Sequence, residues 1–433
     1  MTKQNSGIRR RLSALVAVPL AGALSLSACS TSGDAGGDSG SGDKQGFSFL
    51  FPTSTTTESP YEALAKKYTA ETGVAIDARK LPNDSYGTSL RTQLQGGNAA
   101  DLMVVAPGRG QDYAVLPLAE AGLLEPLSAG STAVVPDAYK ALLEQDGKTY
   151  AQPTDIVPVG IVWNSGAATE AGAQFPADAT AMLSLCQDLT GKGKSLVALA
   201  GSAPPNVGLM AMSLSASRVY AQTPDWNQQR ADGKVSFAQD AGWKDVVATI
   251  EQMNKGGCFQ KGAAGGGFDA ITQGLARGTS LSAFAPGGSA TEIMNNAEGV
   301  TLEIRAFPPA AGGKQYLLAS PNYAMSINAK ADAEQKKAAQ TFLEWLAKPE
   351  NAAEFTKIEG QVPISGVEGA ELAPQYATVK DLLAGGDYAP LPNLSWPNPS
   401  VYDQLSKGLQ GLIAGRGDAA SVLAAVDKAW DSK

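Results

Sequence analysis

Apolar and polar positions along the chain follow two periods. Short apolar runs such as FSFLF and DLMVV have the length of buried strands, and stretches with apolar residues every three to four positions follow them. Strands that alternate with helices predict mostly parallel sheets flanked by helices. We therefore expect an α/β fold, and residues 46–433 are numerous enough to build two lobes.

The clearest helix signal begins at Ser59. Ser59 and Glu62 have the spacing of a capping box, and Pro60 stands at the first helical position. Gly73 is a stop signal. A helix between Ser59 and Gly73 follows from this pattern, directly after the first predicted strand.

Residues 1–28 have the features of an export signal. MTKQNSGIRRR carries four basic residues and no acid, and LSALVAVPLAGALSLSA is apolar and ends in small residues. A membrane-spanning helix needs about 20 strongly apolar residues, so we expect this segment to be removed. The three arginines also permit twin-arginine export, so the route stays open.

The signal ends in Leu26-Ser27-Ala28-Cys29, which resembles a bacterial lipobox with Cys29 as the acylated new N-terminus. The alternative is a secretory signal with an incidental cysteine. Residues 29–45 are rich in Gly, Ser and Asp and predict a flexible linker, roughly 50 Å long at full extension. This arrangement predicts a folded body tethered to the outer face of the cell membrane.

The composition excludes several function classes. The chain has no histidine, which removes Ser-His and Cys-His catalysis and histidine metal sites. Removing the four basic residues of the signal from the 34 in the chain leaves 30 against 42 acidic residues. An acidic surface argues against nucleic acid as a partner. We expect no cofactor, no metal and no enzymatic activity.

Two further cysteines, Cys186 and Cys258, can pair or remain buried thiols. Outside the cytoplasm we favour a disulfide. It would close a loop of about 70 residues and stabilise the fold by about 4 kcal/mol on the chain-entropy model.

Several blocks, in their order along the chain, resemble the family 1 extracellular solute-binding proteins of ABC importers. They are FSFLFPTSTTTESPYEALAKKYTAETGVAI, LRTQLQGGNAADLMVV, LAEAGLLEPLS, GKTYAQPTDIVPVGIVWNSGAATEAG, FDAITQGLARGTSLSAFAPGG and YAMSINAKADAEQKKAAQTFLEWLAKPENAAEFTKIEGQVPISG. The best-known members of this family bind oligosaccharides. The resemblance covers residues 46–433.

The resemblance implies a two-lobe, type II periplasmic-binding-protein-like fold with the ligand cleft at the hinge. The crossovers between lobes would fall near residues 154–157, 319–322 and 362–366. Lobe 1 would then be residues 46–154 plus 322–362, and lobe 2 would be residues 155–321 plus 363–433.

The resemblance also implies the function of a monomeric, lipid-anchored substrate-binding subunit. Its partners would be a small-molecule ligand, a sugar or small oligosaccharide, and the permease subunits of an ABC importer. The lobes would close on the ligand, and hinge closure of this kind is a known response to ligands.

Candidate ligand contacts in lobe 1 follow the predicted strands. Loops after strands and the helix N-termini beside them present hydrogen-bonding groups. The hydroxyl-rich loop after FSFLF matches the family's first ligand loop, DLMVV precedes a second loop, and the hinge block contributes a carboxylate. The residues are Ser54, Thr55, Thr56, Glu58, Pro107, Gly108, Arg109 and Asp155. For Asp155 the alternative is a turn or a helix cap.

Candidate contacts in lobe 2 lie in three loops. Glycine permits close approach of backbone to a ligand, and an aromatic ring flanked by prolines could face a sugar in the cleft. The residues are Asn206, Gly287, Gly288, Ser289, Trp396, Asn398 and Tyr402. The alternatives are an ordinary tight turn for the glycines and a core position for the aromatic residues.

The chain departs from the family pattern in its aromatic residues. Many sugar-binding members carry Trp or His after the first strand and an aromatic residue after the second, where this chain has Pro/Thr and Val105-Ala106. A non-sugar solute such as a polyamine is therefore an alternative ligand. Two other functions remain, a glycoside hydrolase with two carboxylates roughly 5 to 10 Å apart and a lipoprotein scaffold.

Overall fold

A computed structural model describes residues 46–53 and 59–432, apart from the side chain of Asp84. The strands within these ranges are β1 (Phe47–Thr53), β2 (Ile76–Pro82), β3 (Leu102–Val105), β4 (Leu124–Glu125), β5 (Glu144–Gln145), β6 (Lys148–Thr149), β7 (Gln152–Pro153), β8 (Asp155–Asn164), β9 (Ser195–Ala198), β10 (Ser280–Pro286), β11 (Leu302–Arg305), β12 (Leu317–Pro321), β13 (Ala324–Asn328), β14 (Val362–Pro363) and β15 (Tyr388–Ala389).

Strands β5 and β6 form a small two-stranded sheet, and the other strands form two large sheets that the α-helices cover. These helices are α1 (Pro60–Thr72), α2 (Asn83–Gly96), α3 (Val115–Glu120), α4 (Ala129–Thr132), α5 (Asp137–Leu143), α6 (Ser165–Glu170), α7 (Ala179–Gly191), α8 (Pro204–Ser215), α9 (Trp226–Ala231), α10 (Ala241–Lys255), α11 (Phe268–Ala276), α12 (Gly287–Asn296), α13 (Ala333–Leu346), α14 (Pro349–Glu359), α15 (Lys380–Ala384), α16 (Pro399–Ile413) and α17 (Ala419–Trp430). None in the described part of the chain is long and apolar enough to cross a membrane.

Helix α1 begins and ends where the sequence pattern predicts. The Ser59 hydroxyl accepts a hydrogen bond from the backbone of Glu62, and the Glu62 carboxylate accepts one from the backbone of Ser59. Gly73 ends the helix with a φ of 75°, a conformation that glycine adopts without strain. The capping box thereby fixes the position of Tyr61 on the first turn.

The first sheet has the order β2-β1-β3-β13-β4, with β7 paired to β13. Strand β1 runs parallel to β2 and β3, whereas β13 runs antiparallel to β3. Phe49 and Phe51 of β1 are buried and pack against Tyr61 of α1. The apolar run FSFLF is thus a central strand, covered by helices.

The second sheet has the order β15-β12-β8-β10-β9, and β11 and β14 also pair with β8. Its long strand β8 runs antiparallel to β10, β11, β12 and β14. Both sheets therefore mix parallel with antiparallel pairs. The strand that precedes β8 and the strand that precedes β13 each belong to the other sheet. The alternation of strands and helices therefore does not predict whether β8 and β13 run parallel to their neighbours.

The chain changes sheet at three junctions. Strand β7 leads into β8, β12 leads into β13, and α14 leads into β14. Pro321 pairs with Ile156 and Pro363 pairs with Asp155, so the junctions lie side by side. The lobe limits given above, residues 46–154 with 322–362 and residues 155–321 with 363–433, stay a prediction.

The core beside the second sheet is rich in tryptophan. Trp226, Trp243 and Trp430 surround Phe237 at ring-centroid distances of 4.7, 5.0 and 5.9 Å. A disulfide joins Cys186 of α7 to Cys258 in the same core, over a sequence separation of 72 residues.

Candidate functional site

Asp155 lies where the three junctions meet. It is the first residue of β8 and is only 1% exposed. The Thr154 hydroxyl donates a hydrogen bond of 2.6 Å to its Oδ1. Its Oδ2 is buried and has no hydrogen-bond partner among the described residues. A buried carboxylate oxygen without a donor is costly, so this atom is a candidate ligand contact.

A second carboxyl group reaches the same place from α14. Glu359 ends this helix, four residues before the Pro363 that pairs with Asp155. Burial raises the pKa of Glu359. Burial also raises the pKa of Asp155 to about 7, and the charge of Glu359 adds to this shift, whereas the side chains of Thr154 and Asn322 oppose it. The described groups that shift either pKa include no lysine or arginine.

Two tyrosines from the first sheet's side face both carboxyl groups. Tyr61 of α1 is 4% exposed, and its hydroxyl has no partner among the described residues. Burial and then the charges of Asp155 and Glu359 raise the pKa of Tyr61. Burial raises the pKa of Tyr323, and the same two carboxyl groups add to this shift. The four side chains therefore share one electrostatic environment.

A further tyrosine approaches from the side of the second sheet. Tyr376 donates a hydrogen bond of 2.9 Å to Oε1 of Gln361, and the charge of Asp155 acts on it. A Cβ atom at Gly287 would lie 2.4 Å from the Tyr376 ring, so only glycine fits at the start of α12. We name Tyr61, Asp155, Tyr323, Glu359 and Tyr376 the hinge cluster.

The hinge cluster can accept hydrogen bonds through carboxylate oxygens and can donate or accept them through tyrosine hydroxyls. No group of three or more metal-ligating side chains occurs in the described ranges. Carboxyl groups and tyrosine hydroxyls placed in this way can recognise a polar ligand with side chains from both sheets.

A groove of about 490 Å³ lies on the second sheet's side, next to the start of α12. Pro286 at the end of β10 and Phe284 line it, together with Phe268, whose side chain is 59% exposed. Its remaining lining is Pro205, Asn206, Leu209, Ile271, Thr272, Ala285, Ser289, Glu292, Ile293 and Tyr402. An apolar groove edged by a few polar groups is the usual form of a small-molecule site.

The structure places six of the sequence-predicted residues around these two features. Asp155 belongs to the hinge cluster, Gly287 touches it, and a Cβ at Gly288 would lie 3.2 Å from Gln361. Asn206, Ser289 and Tyr402 line the groove. The amide of Asn206 is occupied, since it accepts from Ala200 and donates to the carbonyl of Phe284.

The loop around Trp396 is not arranged as expected. The indole of Trp396 is 1% exposed and packs against Phe237 at 5.5 Å. Its N–H donates to Oδ1 of Asn227 at 3.3 Å. Asn398 caps α16 by accepting a hydrogen bond from the backbone of Ser400. The core buries this ring and Asn398 serves as a helix cap, so neither side chain is presented to a cleft.

The second predicted loop of lobe 1 makes structural contacts. Arg109 forms an ion pair with Glu120, and its backbone N–H donates to the carbonyl of Leu394 at 2.8 Å. Gly108 has a φ of 75° and donates to the carbonyl of Leu142, and Pro107 is buried. The predicted contacts Ser54, Thr55, Thr56 and Glu58, and the lipidation site Cys29, lie outside the described residues.

The sequence analysis missed four members of the hinge cluster. Tyr61 directly follows the predicted ligand loop and Pro60, and this position was a usable signal. Glu359 lies in the block EFTKIEGQVPISG, beside the third predicted crossover. Tyr323 and Tyr376 carry no local signal, because only the tertiary fold brings them to Asp155.

A family model matches most of the chain. The family model of the bacterial extracellular solute-binding protein matches residues 63–382. No curated protein matches the sequence. Among solved structures, a family 1 extracellular solute-binding protein from Bifidobacterium longum subsp. infantis is similar, with a TM-score of 0.72, 19% identity, and 90% of this chain and 99% of that chain covered.

Two further structures extend this similarity. The apo form of RafE from Streptococcus pneumoniae has a TM-score of 0.73 and 17% identity, with 91% of this chain and 99% of that one covered. A probable secreted solute-binding lipoprotein from Streptomyces coelicolor has a TM-score of 0.70 and 16% identity, with 89% and 99% covered. At these identities the likeness establishes the fold, an α/β architecture with one sheet in each of two lobes.

Proposed function

Because the chain belongs to the bacterial extracellular solute-binding protein family, we propose that it is the lipid-anchored substrate-binding subunit of an ABC importer. Its ligand is a sugar or small oligosaccharide, bound between the two lobes. The observation that carries this proposal is the hinge cluster. Side chains beside both sheets converge there, and two of them, Tyr61 and Asp155, have a buried polar atom without a partner among the described residues.

The site has the chemistry that a sugar requires. Carboxylates and tyrosine hydroxyls hydrogen-bond to sugar hydroxyls, and charge-assisted bonds are the stronger ones. The groove beside α12 offers the exposed ring of Phe268 to the apolar face of a sugar ring. A structure of RafE, whose fold is shared, is a complex with raffinose.

Binding works by a population shift between open and closed lobes. A ligand that touches both lobes only in the closed form favours closure by its difference in affinity for the two states. A micromolar dissociation constant, about 8 kcal/mol, would be sufficient for uptake from dilute solution. The permease reads the closed form, and no chemical step on the ligand is needed.

Lipidation at Cys29 would keep the protein at the outer face of the membrane, with residues 29–45 as a flexible tether. The similar fold of a secreted lipoprotein from Streptomyces coelicolor supports this reading. Replacing Cys29→Ser should release the protein from the membrane fraction into the medium. Retention of that variant in the membrane fraction would contradict the lipid anchor.

The ligand is tested by thermal unfolding of the purified full chain against mono- and oligosaccharides, polyamines and amino acids. A ligand at one hundred times its dissociation constant adds about 2.7 kcal/mol to the free energy of unfolding. A response to sugars without change in their chemical form supports the proposal. Chromatography that shows a cleaved sugar would overturn it in favour of a glycoside hydrolase.

A further inference from the structure

We propose that the ligand carries a protonated amino group, which the carboxylates of Asp155 and Glu359 hold in the hinge cluster. This inference rests on the proposed function and narrows its substrate class. An amino sugar would satisfy both proposals. A linear polyamine would satisfy only the one made here.

The first argument is the charge balance of the hinge cluster. Glu359 ends α14 four residues before the Pro363 that pairs with Asp155, its charge acts on Asp155, and both carboxyl groups act on the same two tyrosines. Other inward-facing carboxylates of the described residues have donors. The buried Asp101 accepts hydrogen bonds from the backbone N–H and the hydroxyl of Ser48, and the partly buried Asp427 accepts them from Arg230 and from two backbone N–H groups. Two neighbouring carboxylates without a cation are unfavourable, and a bound cation removes that penalty.

The second argument is the unused hydrogen-bonding capacity. Oδ2 of Asp155 and the hydroxyl of Tyr61 are both buried and lack partners among the described residues. An ammonium group has three donors and no acceptor, so it can donate to the carboxylate oxygen and to the tyrosine oxygen at the same time. A neutral sugar hydroxyl can donate only one hydrogen bond and leaves the negative charge uncompensated.

The third argument is the aromatic surroundings. Tyr61, Tyr323 and Tyr376 are the other members of the hinge cluster, and Tyr113 interacts with Tyr323 and packs edge-on against Tyr86 at 5.5 Å. Aromatic faces next to a desolvated cation add a favourable cation–π contribution. Carboxylates and tyrosines together select for positive charge more than either does alone.

The test compares ligands that differ only in the amine. Isothermal titration calorimetry of the full chain at neutral pH uses glucosamine, glucose and N-acetylglucosamine, the same three forms of galactose, and spermidine. We expect an amine-bearing compound to bind at least tenfold more tightly than its neutral counterparts. The hydroxyl form is close in size to the amine but lacks the charge, and acetylation removes the charge while it enlarges the substituent; both should bind without the preference.

Variants link the preference to the two carboxylates. Asp155→Asn and Glu359→Gln should each weaken binding of the amine at least tenfold and leave neutral sugars unchanged. The matched control is Glu350→Gln, because Glu350 is an exposed carboxylate on the same helix as Glu359. This control should bind the amine as the unaltered chain does.

The outcomes separate the two proposals. Neutral sugars that bind as tightly as their amines overturn this inference and leave the sugar-binding function standing. If spermidine is the only compound that binds, the inference is supported and the proposal of a sugar ligand is overturned. Unchanged amine affinity in both carboxylate variants, or no binding by any compound, overturns the inference.

Discussion

Asp427 and Asp155 are both inward-facing carboxylates, and their surroundings differ in every respect that matters for function. Asp427 of α17 accepts hydrogen bonds from Arg230 at 3.2 Å and from the backbone N–H groups of Phe237 and Ala238 at 2.9 Å each. Asp155 accepts one from Thr154 at 2.6 Å and has no neighbouring cation among the groups that shift its pKa. Asp427 is therefore a structural residue, whereas Asp155 is left for a ligand.

Different aromatic residues surround the two aspartates. Beside Asp427 the tryptophans pack edge to face, and the indole N–H groups of Trp226 and Trp396 have acceptors. Beside Asp155 the rings are tyrosines, and the Tyr61 hydroxyl has no partner in the described ranges. The indole N–H of Trp243 in the tryptophan-rich core also lacks a partner among the described residues, so the contrast lies in the carboxyl groups. The hinge cluster retains a cost that ligand binding can offset.

The largest effect is expected in the tryptophan-rich core. Trp396→Ala should lower the free energy of unfolding by about 4 kcal/mol, because it empties a fully buried site. Denaturant unfolding measures this change, and Trp396→Phe should cost less. Loss of ligand affinity with full stability retained would instead show that Trp396 contacts the ligand.

Arg230→Ala should lower the free energy of unfolding by about 2 to 3 kcal/mol, since it removes the cation from a partly buried ion pair with Asp427. It also removes a guanidinium that lies 5.3 Å from the Trp430 ring. Lys234→Ala, which breaks the exposed pair with Asp232, is the control and should change stability by less than about 0.5 kcal/mol. Equal effects would contradict the structural role of Asp427.

Asp155→Asn should raise the free energy of unfolding at neutral pH, whereas the two substitutions above lower it. The folded chain raises the pKa of Asp155 to about 7, so the folded protein loses stability as pH rises from about 4 to 7. The amide of asparagine carries no charge, so the variant does not lose this stability. At pH 8 it should be more stable than the unaltered chain by about 2 kcal/mol.

The check on Asp155→Asn is a series of denaturation curves at several pH values. The two proteins should converge below about pH 3, where the carboxyl is protonated in both the folded and the unfolded state. A variant that is less stable at pH 8 would show that the carboxylate has a structural partner.

The smallest effect on stability is expected for Tyr61→Phe. Because the Tyr61 hydroxyl has no described partner, its removal should leave stability unchanged or raise it by about 1 kcal/mol. Tyr86→Phe is the matched control, since the Tyr86 hydroxyl donates to the carbonyls of Val104 and Leu50. That control should lose about 1 to 2 kcal/mol. A similar loss in both variants, measured by thermal unfolding, would remove Tyr61 from the candidate ligand contacts.

Much of the fold follows from local signals. The capping box at Ser59 and the stop at Gly73 predict α1 because capping depends on residues a few positions apart. The direction of β8 does not follow, since it depends on where the chain arrives from the other sheet. Periodicity describes which face of an element is buried, and it carries no information on the partner strand.

The candidate site was less accessible from the sequence. A family resemblance singled out Asp155, which the structure places in the hinge cluster. The prolines around Trp396 indicated an irregular loop correctly, but they do not determine which way the ring points, and the core buries it. Tyr323 and Glu359 come from segments distant in sequence, so their proximity to Asp155 depends on the junctions between sheets.

The position of β13 has a consequence for how the protein is made. This strand lies between β3 and β4 in the first sheet, yet more than 200 residues separate β3 from β13 along the chain. A polypeptide that emerges with its N-terminus first cannot complete this sheet until residue 328 is available. The first sheet thus stays incomplete while the chain is being synthesised. This favours slow folding, and it favours export of the chain before the fold is complete.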